Sequence, residues 1–263
     1  MNLSHIASVM SFKRTLSIVG LSSSLVGFAN ADIESSISAG YESQYIYRGV
    51  DLGADRMTLD LNATAKAAAL GLDWSVGLHH GTADNAGLNL TSFGAGPNGE
   101  DVVTPLIAPG GTGETRIHVG ASTDLTDGIN INGGAISYSY QNQINDRLEL
   151  YLGASATVAC IDFAATAFFN QSNDWFGDTY YELSASYTAS VSENTSATLG
   201  VTYGNWDEDP ILGALEDVDF LTISGTLNFD LGDNVSATVG VSHVSPDLSD
   251  DETIVGTSLT LGF

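Results

Sequence analysis

The stretch MTLDLNATAKA, residues 57–67, decides the fold. Met57, Leu59, Leu61, Ala63, Ala65 and Ala67 alternate with Thr58, Asp60, Asn62, Thr64 and Lys66. Successive side chains of a strand point to opposite faces, so a two-residue period gives one apolar and one polar face. The same period runs through Leu72–His79, Thr179–Tyr187 and Val235–Ser242. It defines about twelve segments, at 34–49, 55–69, 71–82, 114–124, 131–141, 147–157, 160–170, 178–190, 195–205, 218–230, 234–245 and 252–263. No stretch of similar length carries the 3.6-residue apolar stripe of a helix.

The links alternate in length. Leu70-Gly71, LTDGIN, a turn near Val158, SVSEN and LGDN are short, and each joins an even segment to the next odd one. The links from odd to even are mostly long and polar: the insertion at 83–113, NQSNDWFGD, NWDEDPILGALED and SPDLSDDE. Short turns at one end and long loops at the other are the layout of an outer-membrane barrel. A secreted β-sandwich also has alternating strands, but gives no reason for that regularity. The expected fold is all-β: a single antiparallel up-and-down transmembrane β-barrel of about twelve strands, within roughly ten to fourteen. By parity, Tyr41, Tyr45, Tyr47, Trp74, Tyr138, Tyr140, Phe163, Phe169, Tyr181, Tyr187, Tyr203, Phe229 and Phe263 fall on the apolar face. Several lie near strand ends, where an interfacial girdle sits. Phe263 continues the apolar parity of Leu259 and Leu261. It resembles the signal by which bacterial outer-membrane proteins engage the barrel assembly machinery.

Residues 1–31 read as a secretory signal peptide. Lys13 and Arg14 precede a serine-softened apolar run, Leu16–Phe28, which ends in Ala29-Asn30-Ala31. The run is too short and too polar to span a bilayer. Met10 would serve equally well as the start. Residues 32–263 form the expected barrel. They keep five of the seven basic residues and all 32 acids, a net charge of −27 (5 − 32). Such a chain repels phosphate backbones, which excludes nucleic acid as a partner, and attracts cations. Cys160 is the single cysteine, so an internal disulfide and CxxC motifs are excluded.

The segment SAGYESQYIYRGVDLG resembles the opening of the Gcw_chp-type family of uncharacterised bacterial outer-membrane β-barrel proteins. The match falls on Ser43, Tyr45, Tyr47, Arg48 and Gly49, with weaker echoes in ISYSYQN and DRLELYLGASA. The resemblance implies an outer-membrane barrel and transfers no catalytic residue. The 83–113 insertion and the acidity depart from the family pattern.

Parity sends all five basic residues of the barrel, Arg48, Arg56, Lys66, Arg116 and Arg147, to the polar inward face. Glu42, Asp60, Asp73, Glu149 and Glu182 share it. A cation facing lipid at the midplane costs roughly 2–4 kcal/mol, so its exclusion from the outer face is expected. Two readings follow: ion pairs that brace the wall, or a charged constriction that selects solutes. Tyr45 and Tyr47 are expected to face the outer lipid interface, with Gly49 releasing the chain into the first outer loop.

Asp207, Glu208 and Asp209 cluster in one long link, and Asp247, Asp250, Asp251 and Glu252 in another. Carboxylates of this kind hold hard divalent cations, but neither link has EF-hand spacing. Solvated loops suited to a saline habitat or to the divalent-ion layer around lipopolysaccharide are the plainer account. His79 and His80 are adjacent and point to opposite faces, so one metal cannot take both. No GxSxG elbow or phosphate loop occurs. No enzyme, resident metal or cofactor is expected. Passive transport of small solutes through an acidic outer mouth leads. A non-conducting structural or loop-binding barrel is the alternative.

Overall fold

The computed structural model describes residues 33–67, 71–83, 91–95, 101–105, 112–140, 147–171, 179–207, 218–246 and 250–263. The signal-peptide segment 1–31 lies outside the described residues. The described chain forms fourteen strands. The first five are β1 (Ile33–Tyr47), β2 (Val50–Ala67), β3 (Leu72–Ala83), β4 (Thr91–Ala95) and β5 (Asp101–Pro105). Next come β6 (Thr112–Thr126), β7 (Ile129–Tyr140), β8 (Arg147–Val158), β9 (Ile161–Asn170) and β10 (Thr179–Ser192). The last are β11 (Thr195–Trp206), β12 (Val218–Gly232), β13 (Val235–Pro246) and β14 (Glu252–Gly262). Twelve of them close into one antiparallel barrel, and β4 and β5 form a separate hairpin. That hairpin falls inside 83–113, read from sequence as loop throughout. Its two five-residue strands are too short for a two-residue period to stand out.

Closure is made by β1 and β14, paired from Ser36–Gly262 to Glu42–Gly256. Backbone bonds between Ser35 and Phe263, 2.9 and 3.0 Å, extend the seam. A closed barrel leaves no unpaired edge, which is what allows strands to cross hydrocarbon.

The outer surface is apolar. Leu152 and Leu199 are 63% and 65% exposed, and Met57, Leu183, Ile223, Val241 and Leu259 stand out beside them. Continuous apolar surface on this scale marks a lipid-facing wall. Two aromatic groups border it. Tyr41, Phe169, Tyr181 and Tyr203 are exposed toward the end bearing the long links, and Phe163 and Tyr187 toward the end bearing the tight turns. The first of these is taken as the outer end. Inside, small residues make room for larger neighbours. At Gly134 a Cβ would lie 2.2 Å from the Val119 carbonyl oxygen and 2.8 Å from the Gly120 Cα. The Tyr151 hydroxyl occupies the space in front of these two glycines.

One hairpin departs from the wall. The β1–β14 ladder stops at Glu42, and the β2–β3 ladder begins only at Arg56. Between these points residues 43–55 pair only with each other. The β1–β2 register runs unshifted past Ser43, from Glu42–Arg56 to Gln44–Ala54. The Ser43 hydroxyl accepts the Val255 N–H of β14 at 2.9 Å. This ribbon has left the wall and bends across the lumen, so Tyr45 and Tyr47 are buried against Glu114 and Tyr138 and are 3% and 6% exposed, which corrects the expectation that they face lipid. The one register shift of this ladder lies between Tyr45 and Ile46. Arg48 and Gly49, at φ 50° and 79°, then close a two-residue turn between Tyr47 and Val50, the twist that suits a tight hairpin. Gly49 thus ends a hairpin and opens no outer loop.

Candidate functional site

The inward hairpin crosses the outer end of the lumen and meets the far wall. Arg48 reaches β8, where Nη1 and Nη2 donate to the two Glu149 carboxylate oxygens at 2.7 and 3.1 Å. The Trp206 indole N–H on β11 donates to the Arg48 carbonyl at 3.1 Å. A Cβ at Gly49 would lie 2.9 Å from the Phe220 Cβ on β12. None of these strands neighbours β1 or β2 in the barrel, so every one of these contacts spans the lumen.

Two buried carboxylates organise the layer. Glu149 also accepts the Tyr138 hydroxyl at 2.7 Å and pairs with Arg147 at 3.1 Å. Glu114 on β6 accepts the Tyr45 hydroxyl at 2.6 Å, pairs with Arg56 at 3.5 Å and is bonded by the Arg116 Nε. Tyr47 joins the two halves: Arg147 of the Glu149 group donates to its hydroxyl, which donates to Tyr138 at 3.0 Å, and the guanidinium of Arg116, bonded to Glu114, lies 5.1 Å from its ring centroid. Glu114, Arg147 and Glu149 are each about 1% exposed. A charge withdrawn from water this far is tolerated only when it is paired and hydrogen-bonded, and each of these carboxylates is.

Aromatic rings complete the outer layer. The Arg48 guanidinium lies 4.1 Å from the Phe168 ring centroid and 4.2 Å from that of Tyr180, with Trp206 at 5.5 Å. Tyr180 packs against Trp206 at 4.8 Å and against Phe220 at 6.1 Å in parallel planes. Each ring attracts a cation over its face by about 0.5–2 kcal/mol.

Below the layer, along the β1–β3 and β12–β14 wall, lies a cavity of about 370 Å³. Ser38, Thr58, Thr226, Thr238 and Ser242 line it together with Glu42, Asp60 and His79. The His79 Nδ1 and Asp60 Oδ1 are 2.6 Å apart. On the ring's other side the Arg56 Nη2 lies 2.5 Å from Nε2. Arginine can only donate, so Nε2 accepts and Nδ1 carries the proton given to Asp60. Arg56 also pairs with Glu42 at 3.5 Å. The arginine faces away from the cavity space, with 6% of its side chain exposed against 41% for Glu42 and 29% for Asp60.

The structure gathers Arg48, Arg56, Arg116, Arg147, Glu42 and Glu149 in or beside the outer layer. Glu182 lies at its edge, accepting the Tyr180 hydroxyl at 2.9 Å. Asp60 lines the cavity below. Lys66 and Asp73 pair across β2 and β3 at the opposite end of the barrel, away from this group. Among the loop carboxylates, Asp251 accepts the Ser245 hydroxyl at 2.6 Å. Asp250 and Asp207 flank strands, and Asp209 and Asp247 lie outside the described residues. Among the described residues no group of three or more metal-binding side chains comes together. His80 turns away from His79 toward Thr115, 3.0 Å off.

Tyr138, expected on the lipid face, is buried in the layer. Its register partners are Arg116 on β6 and Arg147 on β8, and cross-strand partners share a face. The side chain of Tyr140 lies outside the described residues. Sequence reasoning missed Glu114, Phe168, Tyr180, Trp206 and Phe220. Three of them carried a readable signal: Phe168, Tyr180 and Phe220 are large aromatics at positions of polar parity next to long links.

No protein-family model and no curated protein sequence matches the chain. Solved structures share its fold. The COG4313 outer membrane channel from Pseudomonas putida F1 is 10% identical, with a TM-score of 0.57 over 88% of this chain and 95% of that one. A KdgM porin in complex with disordered oligogalacturonate is 14% identical, with a TM-score of 0.52 over 87% of this chain and 99% of that one. At that identity the likeness is one of fold, and the fold is that of outer-membrane β-barrels.

Proposed function

We propose that the protein is a porin-like channel of the outer membrane, passing small solutes with a preference for cations. The cavity carries the reading: beneath the outer layer the lumen is hollow and lined by hydroxyls and two partly exposed carboxylates. The arginines that could attract anions are folded into ion pairs with Glu114 and Glu149. Rings of acidic side chains favour cation passage, and the excess of acid over base across the chain reinforces it. The inward hairpin is then the constriction. The acidic oligosaccharide in the KdgM complex is not carried over, because the four arginines of the outer layer are paired with the buried Glu114 and Glu149.

The burial of Arg147, Glu149 and Glu114 supports a second reading, a barrel sealed at its outer end. One experiment separates the two. Purified protein in planar bilayers is expected to show discrete conductance steps. In a potassium chloride gradient the reversal potential is expected to have the sign of potassium selectivity. A bilayer that stays sealed at every protein concentration would leave the sealed barrel as the function.

Membership of the Gcw_chp-type family stays a proposal, supported by Ser43, Tyr45, Tyr47, Arg48 and Gly49. These are the residues that leave the wall and build the layer. Contact of the acidic outer loops with divalent cations and lipopolysaccharide, and of Phe263 with the assembly machinery, rests on sequence pattern and is proposed on that ground.

A further inference from the structure

The place where Arg48 docks has the form of a receptor for an organic cation. A flat guanidinium lies against Phe168 and Tyr180 at 4.1 and 4.2 Å from the ring centroids, with Trp206 and Tyr47 at 5.5 and 4.9 Å. Its two terminal nitrogens meet the two Glu149 oxygens at 2.7 and 3.1 Å. Rings around a cation, with a carboxylate in the guanidinium plane, are what a guanidinium or alkylammonium ligand requires. The walls belong to β8, β9, β10 and β11, whereas the occupant arrives on a hairpin that pairs with neither flanking strand. Host and guest therefore belong to separate parts of the barrel. Glu149 is also held by the Tyr138 hydroxyl and by Arg147, so the host does not depend on its guest for every contact.

We propose that this pocket is a binding site for small solutes bearing a guanidinium group, and that Arg48 occupies it as an internal stand-in. A soluble guanidinium compound competes with Arg48, and its binding releases the hairpin from the far wall. This goes beyond the channel reading, because binding is measurable on detergent-solubilised protein that conducts nothing.

The probe is argininamide. Trp206 is made the sole indole by replacing Trp74 and Trp175 with Phe, and its fluorescence is followed during titration. The Arg48→Ala variant, with the pocket vacated, is expected to bind with a low-millimolar or tighter Kd, roughly tenfold tighter than the Arg48-containing protein, where the hairpin competes. The Arg48→Ala, Glu149→Gln double variant is expected to lose that binding, and equal concentrations of sodium chloride to give no saturable signal. Should Arg48→Ala fail to show the heat-modifiable gel mobility of a folded barrel, the Arg48-containing protein decides the matter. A saturable change with argininamide and none with sodium chloride upholds the site. No saturable change in a folded protein, or equal binding after Glu149→Gln, overturns it.

Discussion

Excising the inward hairpin is expected to raise the single-channel conductance several-fold. Replacing residues 43–55 with Asn-Gly would let β1 turn directly into β2 at Glu42 and Arg56, the last pair anchored on both sides by the wall. Asn-Gly is the favoured composition for such a two-residue turn. The closed ladders below are untouched, so the barrel should still fold and keep its heat-dependent gel mobility. The excision removes Tyr45, Tyr47 and Arg48, the side chains that cross the lumen. What remains at the outer end are Glu114, Arg116, Tyr138, Arg147 and Glu149, all rooted in the wall. Unchanged conductance in a folded variant would show that the ion path runs elsewhere.

The second large effect is on stability. Glu149→Ala is expected to cost about 3–5 kcal/mol, read as a lower urea midpoint for unfolding from detergent micelles or lipid vesicles. Arg48 and Arg147 both pair with Glu149 in a region closed to water, with side-chain exposures of 9% and 0%. Without the carboxylate, two guanidinium groups stay buried with their main counter-ion gone. Glu182→Gln is the control. Its neighbour Tyr180 donates to a carboxyl oxygen that glutamine also offers, so the loss should stay within about 1 kcal/mol. Equal losses in the two variants would mean that the Glu149 network is not what holds the outer end together.

The twelve barrel strands were legible because the lipid and lumen faces impose a two-residue period on every one of them. The inward position of Arg56, Arg116 and Arg147 was legible for the same reason. Parity counting carries no information about where a hairpin leaves the wall and folds inward. Nothing in the alternation of SQYIY shows that, beyond Glu42 and Arg56, the ribbon loses its flanking strands and carries Tyr45 and Tyr47 into the lumen. Arg48 does lie in the lumen, but at the tip of a turn, not by strand parity. Tyr138 was misplaced because its segment, ISYSY, is apolar on one parity and serine on the other. The choice of face there is made by Arg116 and Arg147 on the neighbouring strands, and those become visible only with the register. The β4–β5 hairpin was hidden by its brevity.

That the β1–β2 tip folds across the lumen onto β12 can be tested by cross-linking. The Cβ position of residue 49 lies 2.9 Å from the Phe220 Cβ, and a small outward shift brings this into disulfide range. Cysteine at 49 must take a left-handed backbone, a cost of about 1–2 kcal/mol. In a Cys160→Ser background, the Gly49→Cys, Phe220→Cys protein is expected to form the 49–220 disulfide under mild oxidation, detected by mass spectrometry of the linked peptides. Two free thiols in a folded, oxidised barrel would place the hairpin outside the lumen and contradict the account.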